Sequence, residues 1–256
     1  MKKVLKIFGL LGIGLVVLIA SHSVLATPLT IDEIVYQPTS GLDPNNLSGT
    51  ANATYSPGVL TITLTNTSAD LGIIGNDASA LLTGIGFNLP SGVSITGGSV
   101  AIANGSSIEN EPGSPYDLQT EWGWDGSRSP FKTGSYLTGS VNTNVSTLQS
   151  ALGQDFTGNQ RPPGGTANVD GPGWGLLSEE QSSFGLGLTA IEDTIIITLN
   201  LSGYSGNQTE LINFINSGDV ALAFGSPTTA VPEPTTLLLL GSGLIGLWGF
   251  RKKFKK

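Results

Sequence analysis

The densest group of side chains able to do chemistry lies between positions 109 and 125. Glu109, Glu111, Asp117, Glu121 and Asp125 are interleaved there with Tyr116, Trp122 and Trp124. Carboxylates beside aromatic platforms suit a sugar-cleaving cleft, in which one carboxylic acid protonates the leaving oxygen and another attacks or activates water. The same oxygens suit calcium, a hard cation that takes roughly six to eight oxygen ligands. Neither chemistry has a diagnostic spacing here, and the EF-hand loop pattern is absent. A plainer reading is a solvated acidic loop whose tryptophans pack on the protein body. Trp122, Trp124 and Trp174 are the tryptophans available for carbohydrate contact. Exposed, they stack on the apolar face of a sugar ring; buried, each hides roughly 150–250 Å².

Other chemistry is excluded by composition. There is no cysteine, so no disulfide, thiolate metal site or cysteine nucleophile. The one histidine, His22, lies in a segment expected to be removed. A body with neither His nor Cys lacks the parts of most acyl-transfer triads and most transition-metal sites. Glu179-Glu180 and Glu192-Asp193 are adjacent pairs, and strand neighbours point to opposite faces. Gly84-Ile85-Gly86 lacks the third glycine and the following helix of a phosphate loop. Asn46, Asn52, Asn66, Asn104 and Asn144 open Asn-x-Ser/Thr triplets, which a chain rich in Asn and Thr contains by chance. No catalytic residue emerges, and the chain reads as a non-enzyme.

Charge is segregated along the 256 residues. Lys2, Lys3 and Lys6 lie at one end, and Arg251, Lys252, Lys253, Lys255 and Lys256 at the other. Between positions 27 and 230 only Arg128, Lys132 and Arg161 face eighteen acidic residues, a net charge of −15. Such a surface repels nucleic acid and anionic membranes and suits divalent cations, neutral polymers or simple solubility.

The two ends read as addresses. Residues 1–26 have the layout of a secretory signal peptide, with the three lysines, an apolar run Ile7–Ala20, and small residues Val24 and Ala26 before a cut between Ala26 and Thr27. That apolar run is shorter than the roughly 20 residues a membrane span needs. At the other end, Val231-Pro232-Glu233-Pro234 is stiff and extended, because each proline fixes its own φ and discourages helix in the residue before it. Residues 237–250 (LLLLGSGLIGLWGF) carry no charge and form a short transmembrane helix by pattern, with Trp248 at an interfacial position and the basic tail held in the cytoplasm.

This order of Pro-Glu-Pro, apolar helix and basic tail resembles the PEP-CTERM sorting signal. The resemblance covers residues 231–256, and the tail here is Lys-rich where the family favours Arg. It implies recognition through Pro232, Glu233 and Pro234 by exosortase, a membrane-bound transpeptidase-like protease. Exosortase then removes the tail and transfers or releases the protein at the cell surface. Membrane contact through 237–250 is transient on this reading, and signal peptidase is the other processing partner. The resemblance further implies a bacterial, exopolysaccharide-making setting. The stretches LTITLTNTS (60–68) and LLTGIGFNLP (81–90) look like a block seen in other exosortase-dependent surface proteins.

The elements that must position any site are β. In Gly58–Asn66, Leu60, Ile62 and Leu64 face one way and Thr61, Thr63 and Thr65 the other; Ile195, Ile197, Leu199 and Leu201 repeat the pattern in Thr194–Ser202. Further strands are expected at Leu29–Tyr36, Thr50–Ser56, Leu82–Leu89, Val93–Ala103, Ser183–Ala190 and Val220–Phe224. Two short helices are expected. One is Val145–Leu152; the other is Thr209–Asn216, with Asn207 or Thr209 as N-cap and Gly218 as stop. Asn104–Trp124 and Gly153–Leu176 read as long loops. The expected architecture is an all-β, antiparallel, jelly-roll-like sandwich over residues 27–230, between an N-terminal signal helix and a C-terminal transmembrane helix. The expected role is an exported, non-enzymatic structural protein of the bacterial cell surface or extracellular matrix, associated with exopolysaccharide or biofilm. The competing expectation is a carbohydrate-binding or glycoside-hydrolysing sandwich that uses the 109–125 cluster.

Overall fold

The structure, a computed structural model, describes residues 25–36, 43–69, 78–112, 116–125, 142–147, 154–157, 174–178 and 189–225. It is mostly β, with few helices. A first sheet has the order β1 (Thr27–Pro28), β3 (Gly49–Ser56), β4 (Val59–Asn66), β13 (Thr194–Ser202) and β6 (Ser94–Ile102), all antiparallel. Period-two alternation builds it. Leu60, Ile62 and Leu64 of β4 and Ile195, Ile197 and Leu199 of β13 are fully buried, while the residues between them point outward. A tight Pro57-Gly58 turn joins β3 to β4, with Gly58 at φ +84°, a conformation glycine takes without steric cost.

A second, mixed sheet runs β10 (Gln154–Asp155), β8 (Gly123–Asp125), β9 (Thr143–Ser146), β5 (Leu82–Phe87), β11 (Leu176–Leu177), β12 (Ala190–Glu192) and β7 (Ile108–Glu109). Strand β14 (Ala221–Phe224) pairs with both β5 and β2 (Glu33–Tyr36). Every residue of β5, β9 and β14 is buried, so these strands read as continuous apolar or small runs with no alternation. The side chains Ile85, Phe87, Val145 and Leu222 of this sheet join Leu60, Ile62 and Leu64 of the first in one hydrophobic cluster.

Two expectations need correction. The sheets are not wholly antiparallel: β11–β12 and β14–β2 are parallel pairs. Positions 143–146 are strand where a helix was expected from 145, because β9 lies between β5 and β8 and Val145 is buried between Ile85 and Trp124 in register. Neighbouring strands override the weak local helix signal.

The helix α2 (Gln208–Ser217) is built as expected. Asn207 caps it through a reciprocal box, its Oδ1 accepting from the Glu210 N–H at 3.0 Å while Glu210 Oε2 accepts from the Asn207 N–H at 3.2 Å. Its apolar face buries Leu211, Ile212 and Ile215. No helix among the described residues is long and apolar enough to cross a membrane. Residues 1–24 of the signal segment and the apolar segment 237–250 lie outside the described residues.

Side-chain amides do much of the stitching. The buried Asn66 Nδ2 donates to the Leu176 carbonyl at 2.7 Å and to the Ala80 carbonyl at 3.2 Å, and Asn66 Oδ1 accepts from the Ser68 N–H. It thereby ties the end of β4 to the second sheet. At the free edge of β6, Gln119 copies a neighbouring strand: its Oε1 accepts from the Val100 N–H at 3.0 Å and its Nε2 donates to the Val100 carbonyl. Replacing Asn66 by Leu strands two carbonyls and an N–H in the interior. We expect a loss of roughly 2–4 kcal/mol of folding stability, measured by urea unfolding with an unchanged denaturant slope.

Candidate functional site

The 109–125 segment threads between elements instead of forming one cleft. Glu109 ends β7 and pairs with Ala190 of β12. Asn110 then turns the chain at φ 52°, its carbonyl accepting from the Thr189 hydroxyl at 3.0 Å, and Glu111 follows exposed. Asp117 caps the single-turn helix α1 (Leu118–Glu121), accepting from the Gln119 N–H at 3.0 Å. Glu121 closes that turn, and Asp125 ends β8, buried and opposite Asn144 of β9. No three His, Cys, Asp or Glu side chains among the described residues are grouped to hold a metal ion. The five carboxylates therefore occupy separate places. Asp117 is committed to a helix end.

The tryptophans are structural. Trp122 is 0% exposed, Trp124 8% and Trp174 9%. The Trp122 indole donates to the Trp174 carbonyl at 3.1 Å, and the Trp174 N–H donates to the Thr189 carbonyl at 2.7 Å. Trp174 is held at φ 63°, a left-handed conformation rare for a bulky residue. Tyr116 lies over it, 4.7 Å between ring centroids and tilted by 41°. Of this aromatic group only Tyr116 is substantially exposed. A sugar ring would have no face of Trp122 to stack on without opening the core.

Glu192 and Asp193, read from sequence only as an adjacent pair, turn out to anchor the loop after β6. The Ser106 hydroxyl donates to Asp193 Oδ1 at 2.8 Å, and the Ser107 hydroxyl donates to Glu192. Glu33 in β2 has its carboxyl raised above the ordinary value, first by burial and then by the nearby charge of Asp219. It stands on another strand from the 109–125 group.

The residues flanking the expected processing point lie at the start of the described body. Thr27 begins β1, pairing with Ala53, and Leu25 before it is 79% exposed. Two amides of α2 hold this end: Gln208 Nε2 donates to the Leu25 carbonyl at 2.9 Å, and Asn216 Nδ2 donates to the Pro28 carbonyl at 3.2 Å. The regular structure of the described body thus starts at the residue expected to follow the cut, with Ala26 as the last residue before it. Pro232, Glu233 and Pro234 lie outside the described residues.

With that geometry in place, the terminal segment is where comparison with known proteins gives a match. Residues 230–253 match the family model described as the PEP-CTERM protein-sorting motif. The chain carries this motif, which marks an exported protein sorted to the cell surface and processed by exosortase. The match covers the sorting segment and leaves the β body outside it. No curated protein and no solved structure matches the chain. Because Trp122 is a core residue, Trp122→Ala should cost about 3–5 kcal/mol of stability by thermal or urea unfolding. An unchanged melting temperature would mean the ring is not packed as described.

Proposed function

We propose that the protein is a structural, non-enzymatic component of a bacterial extracellular matrix or envelope layer, its body a β-sandwich delivered outside the cell and cut at both ends. The sorting motif at 230–253 carries this reading. The rest of the chain supports it. The stretch 27–230 has a net charge of −15 and contains neither His nor Cys. Such a surface stays soluble and repels anionic lipid and nucleic acid. The first sheet presents outward a layer of hydroxyl side chains with no charge, as suits a protein living among hydrated neutral polymers. Export precedes sorting: signal peptidase cuts between Ala26 and Thr27, the segment 237–250 holds the protein in the membrane, and exosortase then acts at Pro232-Glu233-Pro234. Association with exopolysaccharide in a biofilm follows from that destination.

Mass spectrometry of protein recovered from the cell surface or medium tests both cuts. The expected material begins at Thr27 and yields no peptide containing Trp248. Recovery of Phe254–Lys256 on surface protein, or of intact chain dissolved in the cytosol, would overturn the proposal.

A further inference from the structure

The outer face of the first sheet is more regular than solubility demands. Cross-strand register places Thr50, Thr65 and Thr194 in one row and Thr54, Thr61 and Thr198 in another. The row between them holds Asn52, Thr63 and Ile196. Seven of these nine positions on three adjacent strands are threonine. The row of Thr54, Thr61 and Thr198 runs on to Ser99 of β6. Thr50 is exposed and the other eight are partly buried, none of them fully, and Thr65 and Thr194 are linked hydroxyl to hydroxyl at 2.9 Å. The four long strands β3, β4, β6 and β13 contain no Asp, Glu, Lys or Arg.

We infer that this face binds a neutral polysaccharide laid across the strands. Three features choose that occupant. The first is charge: an uncharged plane on a body of net −15 repels anionic polymers at its borders and offers nothing to a charged one at its centre. The second is spacing. Within the two all-threonine rows, hydroxyls recur at the inter-strand distance of about 4.7–4.9 Å, close to the length of one pyranose unit. Successive rows are separated by two residues of rise, about 6.8 Å, so each row is a separate track. The third is chemistry. Each threonine presents a methyl beside a hydroxyl, the same alternation of C–H and O–H that a sugar presents, and Ile196 adds an apolar contact at the centre.

Other occupants fit less well. A second copy stacking on the face would need a desolvated apolar centre, and this face supplies mainly hydroxyls. A crystal plane of ice would need a flat lattice, whereas adjacent strands rotate by roughly 20–25°. A flexible polymer follows that twist. The inference rests on the extracellular location proposed above for its setting. Binding by purified protein tests it independently of where the cell sends the chain.

The test is affinity electrophoresis of the full-length protein in gels containing hydroxyethyl cellulose, galactomannan, laminarin or dextran, with alginate as the anionic control. At least one neutral polymer should retard the protein while alginate does not. The triple variant Thr61→Val, Thr63→Val, Thr198→Val keeps side-chain shape and removes the hydroxyls. It should bind at least tenfold more weakly with an unchanged melting temperature, and Ser at the same three positions should retain binding. No retardation by any neutral polymer, or equal binding by the valine variant, would overturn the inference. So would a concentration-dependent dimer that the valine variant abolishes, or ice-crystal shaping without polysaccharide binding.

Discussion

The alternation along β4 and β13 is the constraint on which the rest depends. Because side chains of a strand point alternately to its two faces, one strand can bury Leu60, Ile62 and Leu64 and still present Thr61, Thr63 and Thr65 to water. A slip of one residue in register would exchange the two sets. Burying a Leu or Ile side chain is worth about 1.5–3 kcal/mol, so the six core residues of the two strands fix the register against any such slip. That register in turn brings the threonines of neighbouring strands side by side. The regular outer face is thus a by-product of core packing that a surface protein can put to use.

Much of this was legible in the sequence, and the reasons differ by element. In β4 and β13 one face is buried and one is wet, and the pattern shows. In α2 the cap is local chemistry: Asn207, Glu210 and the Gly218 stop lie within a dozen residues of one another. The second sheet was harder to read. β5, β9 and β14 are buried throughout, so they carry no alternation to detect. The segment from Val145 read as helix because its partners, Ile85 and Trp124, lie tens of residues away in sequence. The parallel pairing of Leu176–Leu177 with Ile191–Glu192 left no local signature either.

The candidate site divides along the same line. A cluster of carboxylates and tryptophans in sequence is a statement about neighbours along the chain. Chemistry needs neighbours in space. Asp117 serves a helix end and Trp122 a carbonyl across the core. The buried Asn66, whose amide reaches from the end of β4 to the Leu176 carbonyl of the second sheet, had entered the sequence reading only as one of several chance glycosylation triplets. The sorting motif was legible for the opposite reason. A segment read in extended or membrane-inserted form by a processing enzyme keeps its information in linear order, and no fold is needed to assemble it.

Gln119 has a consequence for life in a crowd. An open sheet border offers unmet N–H and C=O groups that invite another chain to add itself. On β6, the Gln119 amide occupies both groups of Val100 at mid-strand, and the opposite border is closed by a β1 only two residues long. Along the described borders of the first sheet, a second chain therefore meets an interrupted ladder. A single side chain stands where a neighbouring strand would otherwise dock.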